Sequence, residues 1–425
     1  MRMTCLSACL LASLINIGCG NIAEIANPSG SGKAVASASE TAAVLDPAAP
    51  DTSAGGTARS VVRAPADSFN VAPAGAGGEL SLITGGYYLS GPQAFYIYEP
   101  TGVSSAPVIA FFHGYNTLDP NQYGGWIKRL VAARYTVIFP VYQDYLTIDT
   151  QFTPNALNAV KNAYNILAQP GHVAPASGKF AIIAHSIGCV VGINVGALAP
   201  SNGLPAPRVI LMANPGDANS FYSLPSIMLS SYSAISSTAR FVALTGDLDN
   251  VVGNQVAIDL YNKLPQIPVA QKNVIEFFSD YYGLPPIVAQ HGSCLAIDPN
   301  FVADQPAPKP LNAGALEWLA GMGDAIDVAF ADLAANEDSS LSSLDTGDGG
   351  SEPQARIPFQ SPGGPISSTI DTMDYKGYWF IGDSMLNWAF NGAAWSLPPG
   401  GPPKTMSMGT WSDGVPVKPA QILLP

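Results

Sequence analysis

Histidine is scarce in this chain. Among 425 residues there are four, His113, His172, His185 and His291, so chemistry that needs an imidazole has few places to occur. Charge is scarce too: only 12% of residues are charged, which argues against a coiled coil and against a charged disordered chain. Basic residues are the scarcer kind, 18 against 31 acidic, and the net charge of -13 repels phosphate backbones and anionic headgroups, so nucleic acid is a poor partner. Mean hydropathy is +0.20, yet the one apolar run of note, Thr4 to Ile17, falls short of the ~20 residues that cross a bilayer. No internal repeat is visible, and the length suits one sizeable core with additions.

What is present starts with an address. Arg2 precedes the apolar run, and the small residues Gly18-Cys19-Gly20 follow it, the layout of an export signal over 1–18. The Gly-Cys junction resembles the lipobox of bacterial lipoproteins, which implies acylation of Cys19 and attachment to a membrane; ordinary cleavage nearby is the alternative. Residues 19–77, rich in Ala, Ser, Gly and Pro, read as a flexible tether.

From residue 78 to about 300, short β-branched or aromatic runs alternate with helical stretches, the pattern of an α/β fold with a mostly parallel sheet flanked by helices. Strands are expected at Ala94–Tyr98, Pro107–Phe112, Thr136–Phe139, Phe180–Ala184, Val209–Met212, Phe241–Leu244 and Val274–Phe278. Helices are expected at Trp126–Ala133, from Thr153-Pro154 (as N-cap and first residue) to about Ala168, at Val190–Leu198 and near Gln255–Lys263. Residues 301–425 read as a C-terminal extension: a helix near Ala313–Leu333, a solvated insert at about 336–364, an aromatic block (Tyr375, Tyr378, Trp379, Trp388, Phe390, Trp395) suited to core or pocket, and a Pro- and Gly-rich tail.

Ala184-His185-Ser186-Ile187-Gly188 joins a buried strand to an apolar helix. A serine on such a turn is forced into a strained backbone and pointed out of the sheet edge, with small residues two before and two after it, and the Ile187 N–H at the helix start is placed to stabilise an oxyanion. With Phe111-Phe112-His113-Gly114-Tyr115 and Tyr123-Gly124-Gly125-Trp126-Ile127, this segment resembles the α/β-hydrolase superfamily, more narrowly bacterial secreted serine hydrolases. The resemblance implies an α/β-hydrolase fold and a carboxylic ester hydrolase without cofactor or metal. It also implies the Tyr115 N–H as second oxyanion donor and His113 as a residue that holds the loop.

A serine needs a base. His185 adjoins it on a strand, where neighbours face opposite ways, and His172 lies in an earlier loop, so His291, after the last predicted strand, is the candidate. The resemblance places the acid at Asp249, with Asp247 and Asp217 as rivals; a calcium role for Asp247 and Asp249 would need further oxygen ligands. Gly382-Asp383-Ser384-Met385 resembles the opening block of another esterase family, but no histidine follows it, and Asp383-Ser384 reads as a helix start. The segment from Met212 to Phe241 is too short for a large lid, which favours water-soluble esters or an open cleft. The alternatives are a non-catalytic surface-binding lipoprotein or a lipase or polyester hydrolase. Cys189 and Cys294 each follow a candidate triad residue by three positions; a disulfide between them and two buried thiols both remain open.

Overall fold

Apolar runs buried on both sides can only be the middle of a layered fold, and that is where they lie. The structure, a computed structural model, describes residues 83–88, 91–144, 147–221, 224–301, 303, 370–394 and 405–424. Its strands are β1 (Ile83–Tyr88), β2 (Phe95–Pro100), β3 (Ser105–Phe112), β4 (Thr136–Pro140), β5 (Ala174–His185), β6 (Val209–Ala213), β7 (Arg240–Gly246), β8 (Lys272–Phe277), β9 (Thr405–Met406) and β10 (Ala420–Leu424). They form one sheet in the order β1-β2-β4-β3-β5-β6-β7-β8-β10-β9. The run from β4 through β3, β5, β6 and β7 to β8 is parallel, and antiparallel pairs close both ends.

The helices are α1 (Gly124–Ala132), α2 (Phe152–Leu167), α3 (Ile187–Leu198), the short α4 (Ala218–Phe221), α5 (Gln255–Asn262) and α6 (Trp379–Asn391), the last continuing a π-helical turn over Met373–Tyr378. Strand alternation divides the core in two. Ile109, Phe111, Ile183 and Leu211 pack with α1 and α6, while Val108, Phe112, Ile182 and Met212 pack with α2, α3 and α5. Cations stand at the N-terminal edge of successive strands. Lys179 donates to the Phe390 carbonyl at 2.9 Å, Lys272 to the Tyr261 and Leu264 carbonyls at 3.0 Å each, and the Arg240 guanidinium lies 4.1 Å from the Trp388 ring. The two lysines thereby satisfy carbonyls at or just beyond the C-termini of α6 and α5, where positive charge is favoured.

The strands and helices expected between residues 94 and 278 are present with ends shifted by a few residues, and β5 begins earlier than its apolar run. Three expectations need correction. α2 starts at Phe152, and Thr153 is not its cap but accepts a hydrogen bond from the Asn194 amide at 2.9 Å. Asp383 lies inside α6 rather than at its start, where it pairs with Arg129. The tail supplies β9 and β10, and a division at residue 300 separates segments that the sheet joins. The aromatic block takes the core alternative of its reading: Tyr378, Trp379 and Phe390 are buried, and Tyr375 and Trp388 pack half-buried against the same core. The 1–18 signal, the 19–77 tether with Cys19, Trp395, the 313–333 helix and the 336–364 insert lie outside the described residues. No described helix is long and apolar enough to cross a membrane.

The C-terminal strands are latched by one carboxylate. Buried Asp280, just after β8, accepts hydrogen bonds from the Trp411 indole at 3.1 Å, the Lys418 backbone at 2.9 Å and the Tyr282 backbone at 3.0 Å. Asp280→Ala leaves these donors unpaired and is expected to cost about 3 kcal/mol, read as a lower urea midpoint; Asp280→Asn should retain part of the stability.

Candidate active site

β5 ends at His185 and α3 starts at Ile187, and Ser186 between them sits at φ 56°, ψ -132°. A left-handed φ on a non-glycine costs on the order of 1–3 kcal/mol and persists only where its surroundings over-determine it. Here the Ser186 N–H donates to the Ala213 carbonyl at 3.0 Å, and its own carbonyl accepts from Cys189 at 2.9 Å and Gly216 at 3.0 Å. Gly188 is required by contact, because a Cβ there would lie 2.3 Å from the His113 carbonyl oxygen and 2.7 Å from that of Phe112. Gly114 is held close as well, though less tightly: a Cβ would lie 2.9 Å from His185 Nδ1 and 3.2 Å from the Ser186 Cβ. Tyr115 follows Gly114 on the loop that passes the serine. The Ile187 N–H opens α3, ahead of any carbonyl the helix can offer it.

His291 reaches the serine from the loop after β8. Its Nε2 lies 2.9 Å from the Ser186 Oγ, and its Nδ1 lies 2.9 Å from Asp249 Oδ2. The Asp249 side chain is 0% exposed, and its other oxygen accepts from the Val251 and Val252 N–H groups at 3.1 Å each. Close backbone packing aligns the two loops: the Leu248 N–H donates to the Ala289 carbonyl at 3.0 Å, and a Cβ on Gly246 would lie 2.2 Å from that same oxygen. The rival carboxylates are engaged elsewhere. Asp247 accepts from the Ser279 N–H at 2.9 Å and hydroxyl at 2.7 Å. Asp217 accepts from the Ala218 and Ile227 N–H groups at 2.8 and 3.0 Å.

A second layer was not legible in the sequence. His185, set aside as a base, donates from Nε2 to the backbone carbonyl of His291 at 3.0 Å, and the Asn214 amide donates to the same oxygen at 2.8 Å. The carbonyl partner assigns the proton to Nε2, so Nδ1 of His185 accepts from the Tyr123 hydroxyl at 2.9 Å, which in turn accepts from the Gly114 N–H at 2.9 Å. The chain Gly114, Tyr123, His185, His291 thus ties the oxyanion loop to the base loop. Burial, reinforced by the neighbouring His291, pushes the His185 pKa well below its ordinary value and keeps it neutral. The available signal was adjacency: a histidine beside an elbow serine faces the other way along the strand, toward whatever supports the loops.

His113 holds its loop as the resemblance implied. Its Nδ1 donates to the Gly114 carbonyl at 2.7 Å, its ring stacks on Tyr142 at 4.3 Å, and burial lowers its pKa to about 4 against the opposing pull of that carbonyl. His172 pairs with Glu99 at 2.8 Å, ahead of β5.

The disulfide alternative is overturned: Cys189 and Cys294 are both free and buried. The sheet separates them. Cys189 packs in the core of α2, α3 and α5 with its thiol donating to the Ala213 carbonyl at 3.5 Å, whereas Cys294 belongs to the core on the face of α1 and α6. Among the described residues no group of three or more His, Cys, Asp or Glu could hold a metal ion. A cavity of about 450 Å³ lies between Asp217, Ser226 and Met228 on one side and Val252 and Gln255 on the other. None of the Ser186, His291 and Asp249 side chains lines it, so the chemistry is located by the hydrogen bonds rather than by this cavity.

Two outcomes are expected. If Ser186 and His291 form an ester-cleaving pair, His185→Phe should lower kcat about 10- to 100-fold with KM little changed, because the loop that carries His291 loses an anchor; steady-state kinetics checks it. Stability should fall with acid. An unfolded His113 takes a proton below its ordinary 6.5, whereas the folded one does so only near 4. Stability is therefore complete above that range and is lost as pH drops across it, by about 3 kcal/mol for this group. Urea unfolding from pH 7 to pH 4 reads the slope, and His113→Gln should flatten it.

No family model matches the chain, and no curated protein matches its sequence.

Proposed function

We propose that this protein is a serine hydrolase of the α/β-hydrolase fold that cleaves carboxylic esters through an acyl-enzyme intermediate. The observation that carries the reading is Ser186, at a left-handed φ between β5 and α3, with its hydroxyl 2.9 Å from His291 Nε2 and Asp249 2.9 Å from Nδ1 of that ring. The strand order supports it, since nucleophile, acid and base follow β5, β7 and β8 of a parallel run and so emerge at one edge of the sheet.

In this reading the Ser186 Oγ attacks the ester carbonyl carbon as its proton passes to His291 Nε2. The tetrahedral oxyanion is held by the Ile187 and Tyr115 N–H groups. The C–O bond to the alcohol then breaks, with His291 protonating the leaving oxygen, and a water activated by the same nitrogen attacks the acyl-enzyme to release the acid and restore Ser186. Buried Asp249 accepts the Nδ1 proton in a hydrogen bond and stabilises the imidazolium without taking its proton. The proposal extends to export, on the N-terminal signal pattern, with Cys19 as the acylated anchor residue.

A fluorophosphonate probe should label the protein but not Ser186→Ala. Turnover of p-nitrophenyl butyrate should fall about 10³- to 10⁶-fold in Ser186→Ala and His291→Ala, and less in Asp249→Ala. Labelling that persists in Ser186→Ala would remove the serine from its role, and with no labelling of the parent protein a binding role would replace the enzymatic one.

A further inference from the structure

We infer that the edge carrying Ser186 docks on an uncharged, water-insoluble ester phase, such as a neutral oil or polyester surface, and takes its substrate from there. The inference rests on the hydrolase reading above and names its substrate class.

Nine large apolar side chains are exposed among the described residues, and they are unevenly placed. Tyr115 follows β3, Ile148 follows β4, Leu248 follows β7, and Tyr281, Tyr282, Leu284 and Ile297 lie in the segments before and after His291; only Val269 and Phe380 lie away from this edge. In a parallel run the segments that follow each strand share one edge, the edge at which Ser186 leaves β5. Leu284 is 62% and Ile148 63% exposed, a large exposure for branched aliphatics. Ser186 itself is only 2% exposed, so an ester has to come down between these loops.

Charge narrows the partner. Segments 113–123, 141–151, 214–239, 247–254 and 278–303 contain no Lys or Arg, although they carry Asp119, Asp144, Asp149, Asp217, Asp247, Asp249, Asp280 and Asp298. Among the described residues Lys128 and Lys418 reach this edge from elsewhere and are engaged, Lys128 pairing with Asp298 at 2.7 Å and Lys418 donating to the Ser279 carbonyl at 2.9 Å, and Lys263 lines the cavity that Asp217 and Val252 also line. Lys179, Arg208, Arg240 and Lys272 stand at the opposite edge. An anionic lipid surface or a phosphorylated or sulfated ester would meet a rim whose own segments carry carboxylates and no Lys or Arg, while a neutral apolar phase covers the rim side chains without bringing up further negative charge. The short segment between β6 and β7 suggested soluble esters. The rim suggests the reverse, since without a large lid the apolar side chains are already presented.

The test uses the full chain with tributyrin taken through its solubility limit, adsorption to tributyrin droplets, and p-nitrophenyl acetate turnover as the soluble reference. The rate should jump as droplets form. The variant Ile148→Ser/Tyr281→Ser/Leu284→Ser should lose about tenfold or more of both adsorption and droplet turnover, with soluble turnover within about twofold of the parent. Droplets doped with phosphatidylglycerol should adsorb less protein at low salt than neutral ones, a deficit that salt relieves. Unchanged adsorption by the variant, or no jump at the limit, would overturn docking while soluble turnover kept the hydrolase reading intact. Loss of soluble turnover and of Ser186 labelling in the parent protein would instead overturn that reading. If the triple variant loses soluble turnover, Leu284→Ser and Ile148→Ser alone are scored by the same two rates, and adsorption equal to that of the parent overturns docking.

Discussion

The backbone of Ser186 is the constraint on which the site depends. A serine at φ 56° does not stay there by preference, and its surroundings hold it: Ala213 accepts its N–H, Gly216 and Cys189 donate to its carbonyl, and α3 begins one residue later. The strain can be borne because both flanking elements are deep in the core. The side chains of β5 from Phe180 to Ala184 are fully buried, and α3 is buried nearly all round. Relaxing the serine would require moving a central strand or a central helix, at a cost far above a few kcal/mol.

The same economy of space explains the glycines. At Gly188 and Gly246 two backbones touch, and at Gly114 the backbone meets the His185 and Ser186 side chains; each contact sets one part of the site: the loop after β3 against the serine, α3 against the end of β3, and the loop after β7 against the loop after β8. Side-chain hydrogen bonds then tie these loops to one another. The neutral His185 is central to that, because it accepts from the oxyanion-loop side through Tyr123 and donates to the base-loop carbonyl. A protonated ring in that position could not accept, so the burial that depresses its pKa also preserves the connection.

The two edges of the sheet have been given different chemistry. At the N-terminal edge, lysines and an arginine hold helix ends and an indole. At the C-terminal edge the loops hold carboxylates, exposed apolar side chains and the serine, with no basic residue of their own. In the proposed reading, this placement suits the edge that carries Ser186 to a neutral apolar ester rather than to an anion.

Much of this was written locally. Strands that are buried on both faces must be apolar throughout, so the runs at Val108–Phe112, Phe180–Ala184 and Phe241–Leu244 declare themselves, and a serine between such a strand and an apolar helix declares its turn. With four histidines in the chain, elimination leads to His291, whereas Asp249 was singled out from Asp247 and Asp217 only by what the family resemblance implies. Tertiary structure decided what depends on contacts between distant residues. β10 is half-buried along most of its length and joins the sheet through β8 and the Asp280 latch, for which a Pro-rich tail has no period-2 signal. The thiols of Cys189 and Cys294 follow residues that meet, yet the sheet passes between the two cores in which they pack. His185 is marked locally only as a side chain facing away from the serine, and its partner is not marked at all, because the carbonyl it holds belongs to a residue more than a hundred positions away. Local pattern specifies what an element is, whereas a hydrogen bond across the sheet edge exists only once the loops have been brought together by the core beneath them.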